Sequence, residues 1–149
     1  MTYLHKKVPM RMIEVTLSSA QTASQGDYVL FDTIRATGTH GVTVNSSTGE
    51  VGLDTSKHYY VVASIDVDRS SNTSSWEFTW HDSAGTALGV SDGAFEAQWD
   101  YNSTLGNATY TAVYQSTSPL SGIKLRATVL AASSSVNTST KLIIMETDA

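Results

Sequence analysis

The chain has 149 residues and a mass of 16.0 kDa, which is the size of a single domain. It contains no cysteine and has a formal net charge of −5 with a pI near 5.1, so a disulfide framework and a cysteine nucleophile are excluded. The acidic charge also argues against a nucleic-acid partner. Ser and Thr make up about 28% of the residues, while three Trp, seven Tyr and three Phe supply core material. This composition is typical neither of a disordered tail nor of a helical bundle.

Apolar and polar residues alternate with a period of two along most of the chain, which predicts β-strands. The predicted strands are residues 12–17, 28–35, 40–45, 50–53, 58–68, 76–81, 95–101, 109–115, 123–129 and 141–147. No segment has a convincing helical pattern, and no stretch approaches the length of a membrane span. We therefore predict an all-β antiparallel sandwich of about ten strands, formed by residues 12–149 and preceded by an N-terminal arm, residues 1–11.

Two strands have the clearest patterns. In residues 58–68, one face carries Tyr59 and the apolar residues that follow it at every second position. In residues 76–81, Trp76, Phe78 and Trp80 alternate with polar residues, which predicts a set of aromatic side chains pointing into the core.

No constellation in the sequence indicates catalysis. The four histidines are scattered, and His81 is interpreted as a solvated residue opposite the aromatic face of its strand. His81 and Asp82 are adjacent on a strand and point to opposite faces, so they do not form a dyad. No serine lies in a G-x-S-x-G turn. We expect a protein that is not an enzyme and has no catalytic residue and no cofactor.

Asp66 and Asp68 are two residues apart on a predicted strand, so both carboxylates project from one face. A calcium ion needs six to eight oxygen ligands, and two carboxylates are only a beginning. The simpler interpretation is a solvated strand end near Arg69, and we predict no metal site.

Tyr60 and Val62 lie opposite the core-facing set of their strand, and a strand that is apolar on both faces is often buried twice. Tyr110 and Tyr114 form a second apolar stripe at alternating positions. These four residues are the predicted subunit interface, because tyrosine is enriched at such contacts. The alternative is that they belong to the core of the domain.

The predicted arm is basic, although the chain as a whole is acidic. It carries His5, Lys6, Lys7 and Arg11, which suits docking on an acidic protein surface. The alternative is a frayed terminus, as many chain ends are.

Several segments together carry a resemblance to a known family. They are residues 28–32, the turn at 46–49, residues 54–57 leading into 58–62, and the closing segment 141–146 after a loop rich in Ser, Thr and Asn. Their order resembles the jelly-roll superfamily of tumour necrosis factor and the complement globular heads. That resemblance implies a jelly-roll sandwich that forms a homotrimer, with tyrosines lining the threefold axis.

A short, cysteine-free, Ser/Thr-rich chain of this kind is most similar to the decoration (cement) proteins and head-fibre knobs of tailed bacteriophages. The resemblance implies a virion structural protein on the outer capsid surface that joins subunits of the major capsid protein, with no nucleic-acid or membrane partner. The alternative is a receptor- or glycan-binding knob, in which Trp80, Trp99 and Tyr101 would stack on sugars. Their inward alternation argues against this second role.

Overall fold

The computed structural model of the chain describes residues 10–68, 76–88, 97–99, 105–114 and 120–148. Twelve strands lie within these residues, and none of the described residues is helical. The strands are β1 (Met10–Thr16), β2 (Gln21–Ala23), β3 (Thr33–Ala36), β4 (Thr43–Asn45), β5 (Glu50–Gly52), β6 (Lys57–Asp68), β7 (Trp76–Asp82), β8 (Ala97–Trp99), β9 (Leu105–Tyr114), β10 (Gly122–Val129), β11 (Ser134–Val136) and β12 (Lys141–Asp148). The described part of the chain therefore offers no long apolar helix that could cross a membrane.

The strands form two antiparallel sheets. Sheet A has seven strands in the order β2-β11-β6-β12-β1-β3, with β9 pairing along β6 as well. Sheet B has five strands in the order β4-β5-β10-β7-β8. Since neighbours in sheet A such as β6 and β12 are far apart in sequence, the sheets are joined by long connections rather than by a simple meander. The predicted all-β, antiparallel jelly-roll sandwich is confirmed.

The core lies between the inner faces of the two sheets. In β6, the side chains that alternate from Tyr59 to Val67 are at most 2% exposed, and β12 adds Leu142 and Ile144. Sheet B contributes Trp76, Phe78 and Trp80, which are at most 1% exposed. The predicted inward aromatic set of β7 is therefore correct, and the period-two pattern identified the core faces of the long strands.

Three sequence predictions about the strands are wrong. Residues 28–35 do not form one strand, because only residues 33–36 join sheet A, while Tyr28 makes an isolated bridge to Arg126 of sheet B. Both β2 and β11 lie in segments predicted as loops. They are short and polar, and they pair with one another beside the end of β6.

The boundary of the N-terminal arm also needs correction. Strand β1 begins at Met10, which pairs with Thr147, and Arg11 pairs with Glu146 of β12. Met10 and Arg11 are thus part of the sandwich rather than of the arm. The hydrogen-bonded ladder begins two residues before the alternation of apolar residues becomes visible in the sequence.

Glycine is required at one close approach between turns. Gly49 has a φ of 71°, and a Cβ at this position would lie 2.2 Å from the carbonyl oxygen of Val29. The turn between β4 and β5 therefore packs directly against the segment that leads from β2 to β3, in a backbone conformation that other residues adopt only with strain.

Candidate functional site

The outer face of sheet A carries a row of exposed apolar side chains. Met12 of β1 pairs with Met145 of β12, which pairs with Tyr60 of β6, so the three residues lie side by side across three strands. Met12 is 66% exposed and Tyr60 is 37% exposed, while Met145 between them is half-buried. We call these three residues the outer row. An apolar row in the middle of a sheet is the kind of surface that a partner usually covers.

A second row lies next to the outer row and mixes charge with apolar surface. Glu14 pairs with Ile143, which pairs with Val62, and all three are half-buried. The Glu14 carboxylate lies 3.7 Å from Arg35 Nη1 and 4.0 Å from Lys141 Nζ. The negative charge on this face is therefore already balanced by two cations of the same chain.

Two adjoining clefts run along the same side of sheet A, and both are lined by Glu14 and Arg35. The first has a volume of about 600 Å³ and is lined mainly by hydroxyl and charged groups, including Thr16, Ser18 and Lys141. The second has a volume of about 500 Å³ and is more apolar, with Met12, Ile34 and Ile143 in its wall. The second cleft therefore begins at Met12 of the outer row and extends across the sheet to β3.

The four residues predicted to form the subunit interface are not all paired with one another in the sheet. Tyr60 and Val62 pair with Val113 and Thr111 of β9. Tyr110 and Tyr114 instead pair with Ala63 and Tyr59, whose side chains are buried in the core. Residues paired across a sheet share a face, so the register groups Tyr60 and Val62 separately from the other two tyrosines. Whether any of the four lies between subunits stays a prediction.

Of the four basic residues predicted for docking, the structure describes only Arg11. His5, Lys6 and Lys7 lie outside the described residues. Arg11 lies in β1, and its Nη1 atom is 3.3 Å from both Glu146 Oε1 and Asp148 Oδ1. Arg11 is therefore engaged in a contact within the domain, and docking by this residue stays a prediction.

The partner of Arg11 is a buried carboxylate that the sequence analysis missed. Glu146 has no exposed surface, although it is charged and lies on a strand next to the end of the chain. Its Oε1 atom faces Arg11 and, at 3.7 Å, Lys57. Its Oε2 atom accepts hydrogen bonds from the Gly41 backbone N–H at 2.8 Å and from the Tyr59 hydroxyl at 3.0 Å. We call these five residues the Glu146 cluster.

The Glu146 cluster closes one end of the sandwich. The Tyr59 hydroxyl also accepts a hydrogen bond from the Asp54 backbone N–H, so the loops before β4 and β6 are both fixed to sheet A. A Cβ at position 41 would lie 2.5 Å from the Cβ of Asp54 and 2.9 Å from the Tyr59 hydroxyl, which explains why this position is glycine. Burial raises the pKa of Tyr59, and the adjacent Glu146 carboxylate raises it further. Both carboxylate oxygens of Glu146 accept hydrogen bonds from other residues of the domain, which is typical of a structural network.

His81 is buried, and the interpretation of this residue as solvated is wrong. It is 4% exposed, and the ring of Tyr28 packs against it edge-on with centroids 5.8 Å apart. Its Nδ1 atom donates to the Gly85 carbonyl at 2.9 Å, which leaves Nε2 to accept from the Thr79 hydroxyl at 2.9 Å. The segment between β2 and β3 pairs with β10 here, where the Val29 N–H donates to the Leu125 carbonyl, and the Tyr28 ring packs on His81. The strand pattern of β7 gave no sign of this cover.

The calcium interpretation of Asp66 and Asp68 gains no support. Asp66 accepts a hydrogen bond from the Ser139 hydroxyl, and its backbone N–H donates to the Thr140 hydroxyl at 3.0 Å. Within the described ranges, no group of three or more His, Asp or Glu side chains is placed to hold a metal ion. Asp66 instead fixes the loop between β11 and β12.

The aromatic residues of the glycan-binding alternative are not available as one surface. Trp80 is 1% exposed and belongs to the core, so it cannot stack on a sugar. Tyr101 and the side chain of Trp99 lie outside the described residues.

Comparison with known proteins identifies the fold. No protein-family model and no curated protein matches the sequence. A solved structure of murine APRIL at pH 8.5 matches with a TM-score of 0.62 and 12% identity, over 92% of this chain and 98% of that chain. A second APRIL structure, at pH 8.0, matches with a TM-score of 0.57 and 9% identity, over 93% and 99% of the two chains. The fold is a TNF-like jelly roll.

A third match concerns a viral protein. The PRD1 vertex protein P5 has a TM-score of 0.49 and 8% identity to this chain, over 93% of this chain and 95% of that one. At identities of 12% and 9%, the two APRIL matches describe the arrangement of strands alone. The function of the TNF-like jelly roll must therefore be argued from its surfaces.

Proposed function

We propose that the chain is a virion structural protein that forms a homotrimer and decorates the outer capsid surface, where it joins subunits of the major capsid protein. The observation that carries the proposal is the outer row, Met12, Met145 and Tyr60, on an otherwise well-packed sandwich. Proteins with a TNF-like fold typically trimerise, and the proposal assigns the outer face of sheet A to that contact.

Charge supports a second copy as the occupant of this face. The chain has a net charge of −5, so two copies repel one another at long range. On the face itself, Glu14 is balanced by Arg35 and Lys141, and the outer row is neutral. A copy that approaches along this face therefore meets apolar surface and balanced charge instead of a concentration of like charges.

The arm supplies the proposed contact with the capsid. In a cyclic trimer, three copies of Met10 lie at the same end of the assembly, so the three arms leave from one end. Three weak contacts of His5, Lys6 and Lys7 with an acidic capsid surface then combine into a strong one, because each binding event raises the effective concentration of the next. The role needs no catalytic residue.

The first test measures the mass of the purified chain in solution by light scattering coupled to size exclusion. The proposal expects a species three times the 16.0 kDa of one chain. Tyr60→Glu should convert it to the monomer, whereas Ala84→Glu, a substitution in the exposed turn after β7, should leave the trimer intact. A monomer at micromolar concentrations of the unaltered chain contradicts the trimer.

The second test addresses the capsid. Undecorated capsids are mixed with the full chain or with a chain that lacks residues 1–9, and binding is measured by co-sedimentation. The shorter chain retains β1 and should remain folded and trimeric but lose most of its binding. Equal binding by both chains contradicts the role of the arm, and no binding by either contradicts the capsid role.

The hydroxyl-lined cleft gives the receptor-binding alternative a specific site. Thr16, Ser18 and Lys141 line a space of about 600 Å³ in which a polar ligand such as a glycan could be hydrogen-bonded. If the isolated trimer binds glycans and Ser18→Ala weakens that binding while capsid binding is absent, the knob function is the better account.

A further inference from the structure

The methionines are distributed unevenly in the molecule. The chain has four, and Met1 lies outside the described residues. Met10 and Met12 are two residues apart on the outer face of sheet A, and Met145 is paired with Met12 on the same face. No methionine belongs to the hydrophobic core of the described residues. Met10 and Met12 are 65% and 66% exposed, so their thioether sulfurs are open to small oxidants.

We infer that Met12 and Met145 form an oxidation site, and that oxidation of these two residues by a peroxide blocks self-association through the outer row. The inference rests on the proposed homotrimer and adds a chemical modification that controls it. In the reaction, a sulfur lone pair attacks one peroxide oxygen and the O–O bond breaks. That oxygen gives up its proton to the departing hydroxide and becomes the sulfoxide oxygen, and the hydroxide leaves as water, so the sulfur loses two electrons and hydrogen peroxide gains them.

The position of the two sulfurs explains the effect. Met12 and Met145 are paired across β1 and β12, and Met145 is paired with Tyr60, so two of the three residues in the outer row are oxidisable. A sulfoxide is a strong hydrogen-bond acceptor, whereas a thioether is a weak one. Before a second copy could cover the row, each sulfoxide would have to lose its hydrating water, and that loss opposes association.

The coupling acts in both directions. Association would cover the same sulfurs, so peroxide should reach them more slowly in the trimer than in single chains. Met10 serves as an internal reference, because it lies at the end of β1, where its partner is Thr147 rather than an apolar residue. Its oxidation reports the dose of peroxide, while protection of Met12 and Met145 relative to Met10 reports the contact.

The experiment treats the full chain with hydrogen peroxide at low concentration, where single chains predominate, and at high concentration, where trimers do. Peptide mass spectrometry measures the gain of one oxygen at each methionine, and sedimentation velocity measures the association constant. We expect oxidised single chains to associate about tenfold less tightly or worse. We also expect Met12 and Met145, but not Met10, to be oxidised more slowly in the trimer.

A variant separates this site from other effects of peroxide. Met12→Leu combined with Met145→Leu removes both oxidisable sulfurs from the outer row, so the association constant of this variant should be the same before and after peroxide treatment. If the variant loses association after peroxide as the unaltered chain does, or if oxidised Met12 and Met145 leave association unchanged, the oxidation inference is wrong while the trimer stands. If the untreated chain does not associate at any concentration, the proposed trimer fails and the inference fails with it.

Discussion

The hydroxyl of Tyr59 lies 3.0 Å from the Oε2 atom of Glu146 on the neighbouring strand and donates its hydrogen to that carboxylate. The two residues are paired in register, and Arg11 of β1 is paired with Glu146 on the other side. Tyr59, Glu146 and Arg11 therefore lie side by side across three strands of sheet A, with the Glu146 carboxylate between the Tyr59 phenol and the Arg11 guanidinium. This line holds the start of β1 at a fixed place on the sandwich.

Glu146→Ala should lower the free energy of unfolding by about 3 kcal/mol or more, because it leaves the Gly41 N–H and the Tyr59 hydroxyl without their buried acceptor and removes the buried anion from the cluster. Urea denaturation monitored by tryptophan fluorescence measures the change. Asp148→Asn is the matched control, since its carboxylate contacts the two cations of the same cluster but its side chain is 49% exposed, and it should cost less than about 1 kcal/mol. If both variants lower the free energy of unfolding equally, burial does not make the Glu146 contacts stronger than those of exposed Asp148.

Tyr59 should make the fold sensitive to alkaline pH. Its pKa is raised by burial and by Glu146, so the folded state holds the phenolic proton more tightly than the unfolded state does. The resulting stability is fully present below the ordinary tyrosine pKa of about 10 and is lost as the pH rises above it. Stability measured from pH 8 to pH 11 should fall less steeply for Tyr59→Phe than for the unaltered chain. An equally steep fall for Tyr59→Phe would contradict the role of this hydroxyl.

Asp32 should stabilise the fold at neutral pH and lose that contribution as the pH becomes acidic. It accepts hydrogen bonds from the Ser18 hydroxyl at 2.5 Å and the Ser18 N–H at 2.8 Å, and the hydroxyl contact is the main cause of its lowered pKa. The contribution is present above the ordinary aspartate pKa of about 3.9 and is lost as the pH falls through the lowered folded value. Ser18→Ala should raise the pKa of Asp32, measured by NMR titration of its carboxyl carbon. The loss of stability at neutral pH should stay below about 1 kcal/mol, because the site is exposed.

Gly49→Ala should destabilise the fold by about 3 kcal/mol or more, because it combines an unfavourable φ with a clash against the Val29 carbonyl. Gly38→Ala provides the control, since Gly38 also has a positive φ, 79°, but nothing lies within 4 Å of the added Cβ. That variant should cost about 1 kcal/mol. Thermal and urea unfolding of both variants separate the backbone cost from the clash, and similar values for the two would show that the turn moves aside freely.

The core faces of the sandwich could be predicted from the sequence, because alternation in a long strand depends only on local order. The strands β6, β7, β10 and β12 all begin and end within one residue of the predicted limits. The fold class follows from these strands and their spacing. The outer row was found only in part, since Tyr60 was recognised by its position opposite the core face, whereas its neighbours Met12 and Met145 depend on register.

The remaining features depend on contacts between residues that are distant in sequence. Glu146 is polar and falls at a core-facing position of β12, which was a signal, but its two cations come from β1 and from β6, both distant in sequence. His81 is covered by Tyr28, which comes from a different part of the chain, so no pattern within β7 could reveal its burial. The short polar strands β2 and β11 have no alternating apolar residues and are held by pairing at the margin of sheet A.

The pairing of Met10 with Thr147 also determines how the domain responds to force. Strands β1 and β12 run antiparallel, so the start of β1 and the end of β12 lie at the same end of sheet A. A pull applied through both ends therefore separates the two strands like a zipper and loads their hydrogen bonds one pair at a time, rather than shearing all of them together. The Glu146 cluster lies at the point where this peeling starts, since Arg11 and Glu146 form the next pair inward. The ion pairs of this cluster are therefore among the first interactions to break when force is applied between the start of β1 and the end of β12.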